Sequence, residues 1–427
     1  MIKIYDGDIS QEKILNREIQ SYTEIEPIVR EIIDNVIKNG DKQVKEYTKK
    51  FDGADLDTLL VSDKEIEEAV ERIDKNFLEI LKEAKENIEV FHREQLKKGF
   101  EIKKDGGVVL GQKYTPIEKA GIYVPGGTAS YPSTVLMNAI PAKIAGVSKL
   151  VMVTPPDSDG KIKDEILAAA KLCGVDMIFK CGGAQAIAAL AYGTETIPSV
   201  DKIVGPGNIF VAVAKRMVFG KVSIDMIAGP SEILIIADGS ANPVFVAADL
   251  LSQAEHDKMA SAVLVTDSKT LAQAVSDELE IQIPVLKRSE IARTSIDGNG
   301  KIIVVESIDK AVEISNMIAP EHLEVCVDNP FDLLDKIKNA GSIFLGKYTP
   351  EPLGDYFAGP NHTLPTSGSA KFSSPLSVDD FVKKSSYIYY TQNELTKVAD
   401  KIADFANREG LQAHAQSVLT RKETDKQ

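Results

Sequence analysis

The spacing of apolar residues changes character about a quarter of the way along this chain. Over Glu24–Lys49 and Asp63–Lys98 they recur at three- and four-residue steps with charges between them, which predicts amphipathic helices. From about Gly107, short β-branched runs take over, each followed by an amphipathic stretch. Ala120–Val124 predicts a strand before a helix near Thr134–Ala145, and Lys149–Thr154 a strand before Ile162–Cys173. Asp201–Val204 precedes Asn208–Phe219, and Glu232–Ala237 precedes Pro243–His256. Ala260–Thr266, Lys301–Val305, Leu323–Val327 and Ser342–Leu345 continue the series. Alternating β and α elements predict parallel sheets with helices on both faces. The units are too many for one mononucleotide-binding half, so two α/β domains are expected. Boundaries are expected near Gly121–Gly127 and Ala228–Ser231. Ser367–Pro375 reads as a linker, Asn393–Val418 as helix, and Thr420–Gln427 as a polar frayed tail.

Composition narrows the function classes. The 427 residues carry a formal net charge of -14, which argues against a nucleic-acid backbone as the main partner. Small molecules and other subunits are the expected partners. The start of the chain shows no basic segment followed by an apolar one, so no signal peptide is expected. No apolar run approaches the ~20 residues that cross a bilayer. Three cysteines, Cys173, Cys181 and Cys326, show no CxxC spacing. They read as small buried hydrophobes, and a reducing cytoplasm is the simplest setting.

Chemistry concentrates in the C-terminal half. Of five histidines, four lie there in polar, turn-rich segments: His256, His322, His362 and His414. Histidine titrates near neutral pH and is the commonest metal ligand. Gln253 and His256 lie three apart at a helix end, a spacing that shares one helix face. With Asp355 and His414 they make a nitrogen/oxygen donor set that suits Zn²⁺, with Mn²⁺ or Co²⁺ as substitutes. The plainer alternative is that His256 caps a helix and Asp355 makes a turn. Glu321-His322, after Pro320, supplies a carboxylate and an imidazole, two proton-transfer groups if both reach one site. In a regular strand the two would point apart, so the pair must sit at an irregular strand entry. Proline should drive Ala319 to an extended conformation. His362 follows Gly359-Pro360-Asn361 and reads as site wall or turn; His92, on a charged helix, reads as structural.

Glycine turns recur at strand ends. Gly121–Gly127, Lys180–Gln185 and Gly205–Asn208 each follow a strand pattern and precede a helix. None is a P-loop or a GxGxxG fingerprint. Together they favour a nucleotide or dinucleotide cleft along one crevice.

These segments resemble the histidinol dehydrogenase family. The resemblance runs through Gly121–Gly127, Gly205–Asn208, Ala228–Glu232, Leu251–Asp257, Ala319–Leu323, Leu353–Tyr356 and Gly359–Pro365, and covers roughly residues 20 to 420. It implies a zinc-dependent, NAD-linked oxidation of L-histidinol to L-histidine through the aldehyde. On matching positions, Gln253, His256, Asp355 and His414 would be the zinc ligands, and Glu321 and His322 the proton-transfer pair. Ser231, His362 and Glu409 would contact substrate, together with Gln253, His256, His322, Asp355 and His414; Tyr123, Gln185 and Asn208 would contact NAD. The family implies a homodimer in which Glu409 and His414 act in trans.

It also implies two incomplete Rossmann-like sheet domains of aldehyde-dehydrogenase type. Residues 21–122 plus 233–368 would form the first and 123–232 the second, with a helical N-terminal arm over 1–20 and a helical C-terminal segment over 369–427. Three rivals stay open: a thiohemiacetal route through Cys181 or Cys326, a zinc hydrolase with Glu321 activating water, and a catalytically silent metal- or nucleotide-binding protein.

Overall fold

In the computed structural model of the chain, residues 1–7, 22–126 and 130–423 are described. Most of the expected N-terminal arm, Gly127 and the last four tail residues lie outside them. The chain divides into two compact units, one of Met1–Gln95 and Ile117–Phe381, the other of Leu96–Pro116 and Val382–Gln427.

The first unit contains two sheets, both wholly parallel among the described residues. The larger runs Lys3–Asp6, Lys301–Val304, Ser261–Thr266, Glu232–Ala237, His322–Cys326, Ser342–Leu345. The smaller runs Met177–Lys180, Lys149–Thr154, Lys119–Tyr123, Lys202–Val204, Ser223–Ile224. Helices cover both faces, so central strands are buried throughout and read as unbroken apolar runs. Leu234, Ile236, Val263, Val265, Leu323 and Val325 pack on one side of the larger sheet. Ile233, Ile235, Ala262, Leu264 and Cys326 pack on the other.

Several boundaries differ from the sequence reading. The stretch expected as one helix from Asp63 is two, Asp63–Arg72 and Lys75–Arg93. Each has its own start: Ser62 and Glu65 form a capping box, and the Asp74 carboxylate accepts from the Phe77 N–H at 2.8 Å. The chain start was expected to be helical, but Lys3–Asp6 is an edge strand paired with Lys301–Val304. Ile2, beside it, is buried in the larger sheet's core.

The second unit holds a three-stranded antiparallel sheet, ordered Val382–Tyr389, Val108–Pro116, Phe100–Lys104. It was not anticipated, and the C-terminal segment is therefore not all helix. Phe100–Lys104 is exposed along its whole length and Val382–Tyr389 along nearly all of it. With no buried face, neither strand writes the alternation that marks a strand. The expected C-terminal helix is two, Gln392–Arg408 and Gln412–Glu423. They part at Gly410, whose φ of 76° is a left-handed value that glycine adopts without a side-chain clash.

Candidate active site

Glu321 and His322 meet where a helix reverses into a strand. The helix Ile308–Ile318 ends at Ala319, whose N–H donates to the Ser315 carbonyl at 2.8 Å. Ala319 is not extended; its φ is 53°. Pro320 disfavours only the right-handed helical region for the residue before it, so a left-handed cap stays open and turns the chain. The strand begins at His322, leaving Glu321 just outside the alternation.

The backbone of Glu232, on the neighbouring strand, holds both side chains. Its N–H donates to Glu321 Oε2 at 2.9 Å, and its carbonyl lies 3.0 Å from His322 Nδ1. A carbonyl only accepts, so Nδ1 carries a proton, and Nε2 is the nitrogen that gains or loses the second one. Nε2 lies 3.7 Å from Glu351 Oε1 and 3.8 Å from Asp355 Oδ1. Glu351 and Asp355 stand one turn apart on the helix Glu351–Tyr356. The Glu351 N–H donates to Glu324 Oε1 at 2.7 Å, and Ser252 Oγ donates to Glu351 Oε2 at 3.2 Å.

This pocket is charged and buried. Burial disfavours a charged His322 ring, but Glu321, Asp355 and Glu351 outweigh it and push the imidazole up to about 10. Burial pushes Glu321 up to about 7 against the attraction of His322. Glu351 is pushed up to about 8 by burial and by Asp355. Asp355 is buried too, but His322 and His362 hold it well below the usual carboxylate range.

The residues present fit a divalent cation. His322 Nε2 and Glu351 Oε1 are buried without a hydrogen-bond partner, and orphaned buried polar atoms are costly. Among the described residues, His322, Glu351 and Asp355 form the group of metal-capable side chains whose donor atoms all lie within 4.8 Å. Asp355 is the member of the expected ligand set that falls in this group. Gln253 is buried at the end of the helix Pro243–Ala254, its amide beside Glu351. His256 was expected on the same helix face; the helix stops at Ala254, and His256 follows in an exposed turn, its N–H on the Gln253 carbonyl at 3.0 Å. His362 forms site wall, with Nδ1 3.8 Å from Asp355 Oδ1. Ser231 immediately precedes Glu232 and is half-buried. His92 is fully buried and bonds the Ile88 carbonyl through Nδ1 at 2.9 Å, the structural role expected of it. Glu409 and His414 belong to the second unit, and both are exposed. Glu351 was missed by the sequence reading. Its four-residue spacing from Asp355, right after Pro350, was the available signal.

The three cofactor candidates share one cavity in the first unit. Tyr123, Gln185 and Asn208 line a space of about 750 Å³ with Phe51, Asp52 and Phe210. Each sits at or just beyond the C-terminal end of a strand in the smaller sheet, where open α/β sheets bind ligands. Tyr123 Oη accepts from the Gly183 N–H at 3.0 Å. Asn208 Oδ1 caps the helix Ile209–Val218, accepting from Phe210 at 3.0 Å and Val211 at 3.2 Å.

All three cysteines are free and buried. Burial pushes the Cys326 and Cys181 thiols far up, and the nearest charges on both are carboxylates that add to the shift. A thiolate nucleophile is therefore disfavoured at either position. Cys326→Ala and Cys181→Ala are each expected to keep most of the turnover measured as NADH formation. A large loss in either would restore the thiohemiacetal route.

Two parallel sheets, a cavity at the strand ends and a buried histidine–carboxylate cluster make this an α/β protein with the frame of a cofactor-using enzyme. A sequence model of the histidinol dehydrogenase family matches residues 15–422. The histidinol dehydrogenase of Clostridium acetobutylicum is 57% identical over 422 residues, covering 98% of each chain. That of Bacillus cereus is 55% identical over 419 residues, covering 98% of this chain and 97% of the relative. The crystal structure of histidinol dehydrogenase from Elizabethkingia anophelis superposes with a TM-score of 0.95 at 40% identity, covering 100% of this chain and 99% of that one. The chain belongs to the histidinol dehydrogenase family, whose members are NAD-dependent oxidoreductases.

Proposed function

We propose that the chain oxidises L-histidinol to L-histidine through the aldehyde, passing two hydrides to two NAD in succession. The observation that carries this reading is the pairing of Glu321 and His322 by one backbone residue, Glu232, which leaves His322 Nε2 as the ring nitrogen that can exchange a proton and act as base once deprotonated. In the first half, His322 Nε2 takes the hydroxyl proton as hydride leaves the carbon for NAD. In the second half, Glu321 takes a proton from the water that attacks the aldehyde, and the hydrate gives up a second hydride. The hydrate loses its hydroxyl protons as that second hydride leaves, giving the carboxylate product.

Gln253, His256 and Asp355, with His414, would hold zinc. Bound there, zinc would orient the imidazole and amine of the substrate, a template role. Ser231, His362 and Glu409 would complete the substrate contacts, and Tyr123, Gln185 and Asn208 those to NAD. We place Glu409 and His414 in trans, in a homodimer. The second unit supports a dimer through exposed apolar side chains, Phe100, Ile102, Ile388 and Phe405 among them. No described helix is long and apolar enough to cross a membrane, and the three unpaired cysteines suit a cytoplasmic setting.

With L-histidinol and excess NAD, two NADH per histidinol are expected by absorbance. Chelation should abolish the signal and zinc should restore it. Turnover of a histidine ester or amide without NAD would favour the hydrolase instead. Zinc binding with no NADH formed would overturn the substrate assignment.

A further inference from the structure

One buried ion pair lies, along the chain, between the cavity residue Asn208 and Glu232, whose backbone holds the catalytic pair. Lys215 lies near the end of the helix Ile209–Val218, and Asp225 follows the short strand Ser223–Ile224. Their side chains are 2% and 1% exposed and bonded to each other. Both also grip Gly205. Asp225 Oδ2 accepts the Gly205 N–H at 2.8 Å, and Lys215 Nζ donates to the Gly205 carbonyl at 2.9 Å. Asp225 Oδ1 accepts the Met226 N–H at 2.7 Å. The two charges thus hold both polar groups of a single residue.

Gly205 has no room to relax. Its φ is 112°, and a Cβ there would fall 2.1 Å from the Tyr123 carbonyl oxygen. Three residues on, Asn208 caps its helix and lines the cavity. On the other side, Asp225 opens the segment that runs through Ser231 to Glu232, the residue whose backbone holds Glu321 and His322. A buried ion pair adds little net stability over an apolar pair of the same size. What an apolar pair cannot do is fix the Gly205 N–H and carbonyl in place.

We infer that Lys215 and Asp225 are positioning residues for hydride transfer, fixing the Gly205–Asn208 turn, and the cofactor it contacts, against the segment that leads to the catalytic pair. The inference rests on reading the 750 Å³ cavity as the NAD site. Neither residue lines that cavity.

The test uses the full-length, zinc-loaded enzyme. Lys215→Met alone strands a buried carboxylate and is expected to fold poorly. Lys215→Met combined with Asp225→Asn removes both charges and keeps an acceptor for the Gly205 N–H. Its expected signature is a roughly 10-fold weaker NADH affinity by fluorescence titration without turnover, the loss of about one net hydrogen bond to a charged group. The KM for NAD should rise in step, with the KM for histidinol and the zinc content unchanged. If the double variant does not fold, Lys215→Gln combined with Asp225→Asn, which is neutral and keeps a donor for the Gly205 carbonyl and an acceptor for its N–H, is read in the same titration, with a smaller loss expected.

A lowered melting temperature with unchanged NADH affinity would overturn the inference, leaving a merely structural pair. Asn208→Ala separates the two layers. If it weakens NADH binding while the ion-pair variants do not, the cavity reading stands and the inference falls. If Asn208→Ala also leaves NADH binding unchanged, the cavity reading falls and takes the inference with it.

Discussion

Glu321→Gln is expected to slow oxidation of supplied histidinaldehyde by about 10²- to 10⁴-fold, the usual worth of a general base. The amide keeps the shape and still accepts from the Glu232 N–H, which reaches Glu321 Oε2 at 2.9 Å. It has no basic oxygen to take the proton of an attacking water. The alcohol half should suffer less, because its base in this scheme is His322. The pH profile gives a second readout. Burial places Glu321 at about 7, and only its ionised form is a base. Aldehyde oxidation by the unaltered protein should therefore rise as pH increases through about 7 and level off above it. In Glu321→Gln that rise should vanish. Equal losses in both halves, with the rise intact, would remove Glu321 from the water-activating role.

Much of the fold was legible because buried parallel strands leave a strong mark. Glu232–Ala237 and Ser342–Leu345 fall where the apolar runs place them. What escaped the sequence was the antiparallel sheet of the second unit. Its outer strands bury almost nothing, so no periodic face separates them from loop. The break at Gly410 escaped for a related reason. A single glycine inside a helical pattern costs only about 1 kcal/mol, too little to reveal itself as an interruption.

The site was legible in its parts and not in its assembly. Composition and spacing picked out Gln253, His256, Glu321, His322 and Asp355, but their distances along the chain say nothing about meeting. The larger sheet brings most of them together by a simple rule. A helix that follows a parallel strand runs back, so its C-terminal end returns to the entry edge of the sheet. Gln253 closes one such helix, and the helix Ile308–Ile318 delivers the chain to Glu321 in the same way. The proton-transfer pair thus sits at strand entries. Tyr123, Gln185 and Asn208 sit at strand exits in the smaller sheet, the usual ligand edge. Glu351 escaped because a lone glutamate between two prolines reads as surface; only the fold buries it beside His322.

Asp355→Asn is expected to cost at least about 100-fold in zinc affinity, the upper end of what loss of an outer-shell partner costs. The geometry gives the reason. Asp355 Oδ1 lies 3.8 Å from both His322 Nε2 and His362 Nδ1, so one carboxylate oxygen faces two imidazoles. Those rings hold Asp355 ionised against its burial, which keeps a full negative charge ready for a cation. Asparagine keeps the oxygen and removes the charge. Gln253 is neutral and His256 stands in an exposed turn, so neither replaces the lost anion. Chelator competition and metal analysis of the purified variant read the affinity directly, without turnover. Activity should be nearly absent at low zinc and should return in part when zinc is raised. Zinc held at its original affinity would remove Asp355 from the ligand set. The metal would then have to be sought at His322 and Glu351, the other members of the buried cluster.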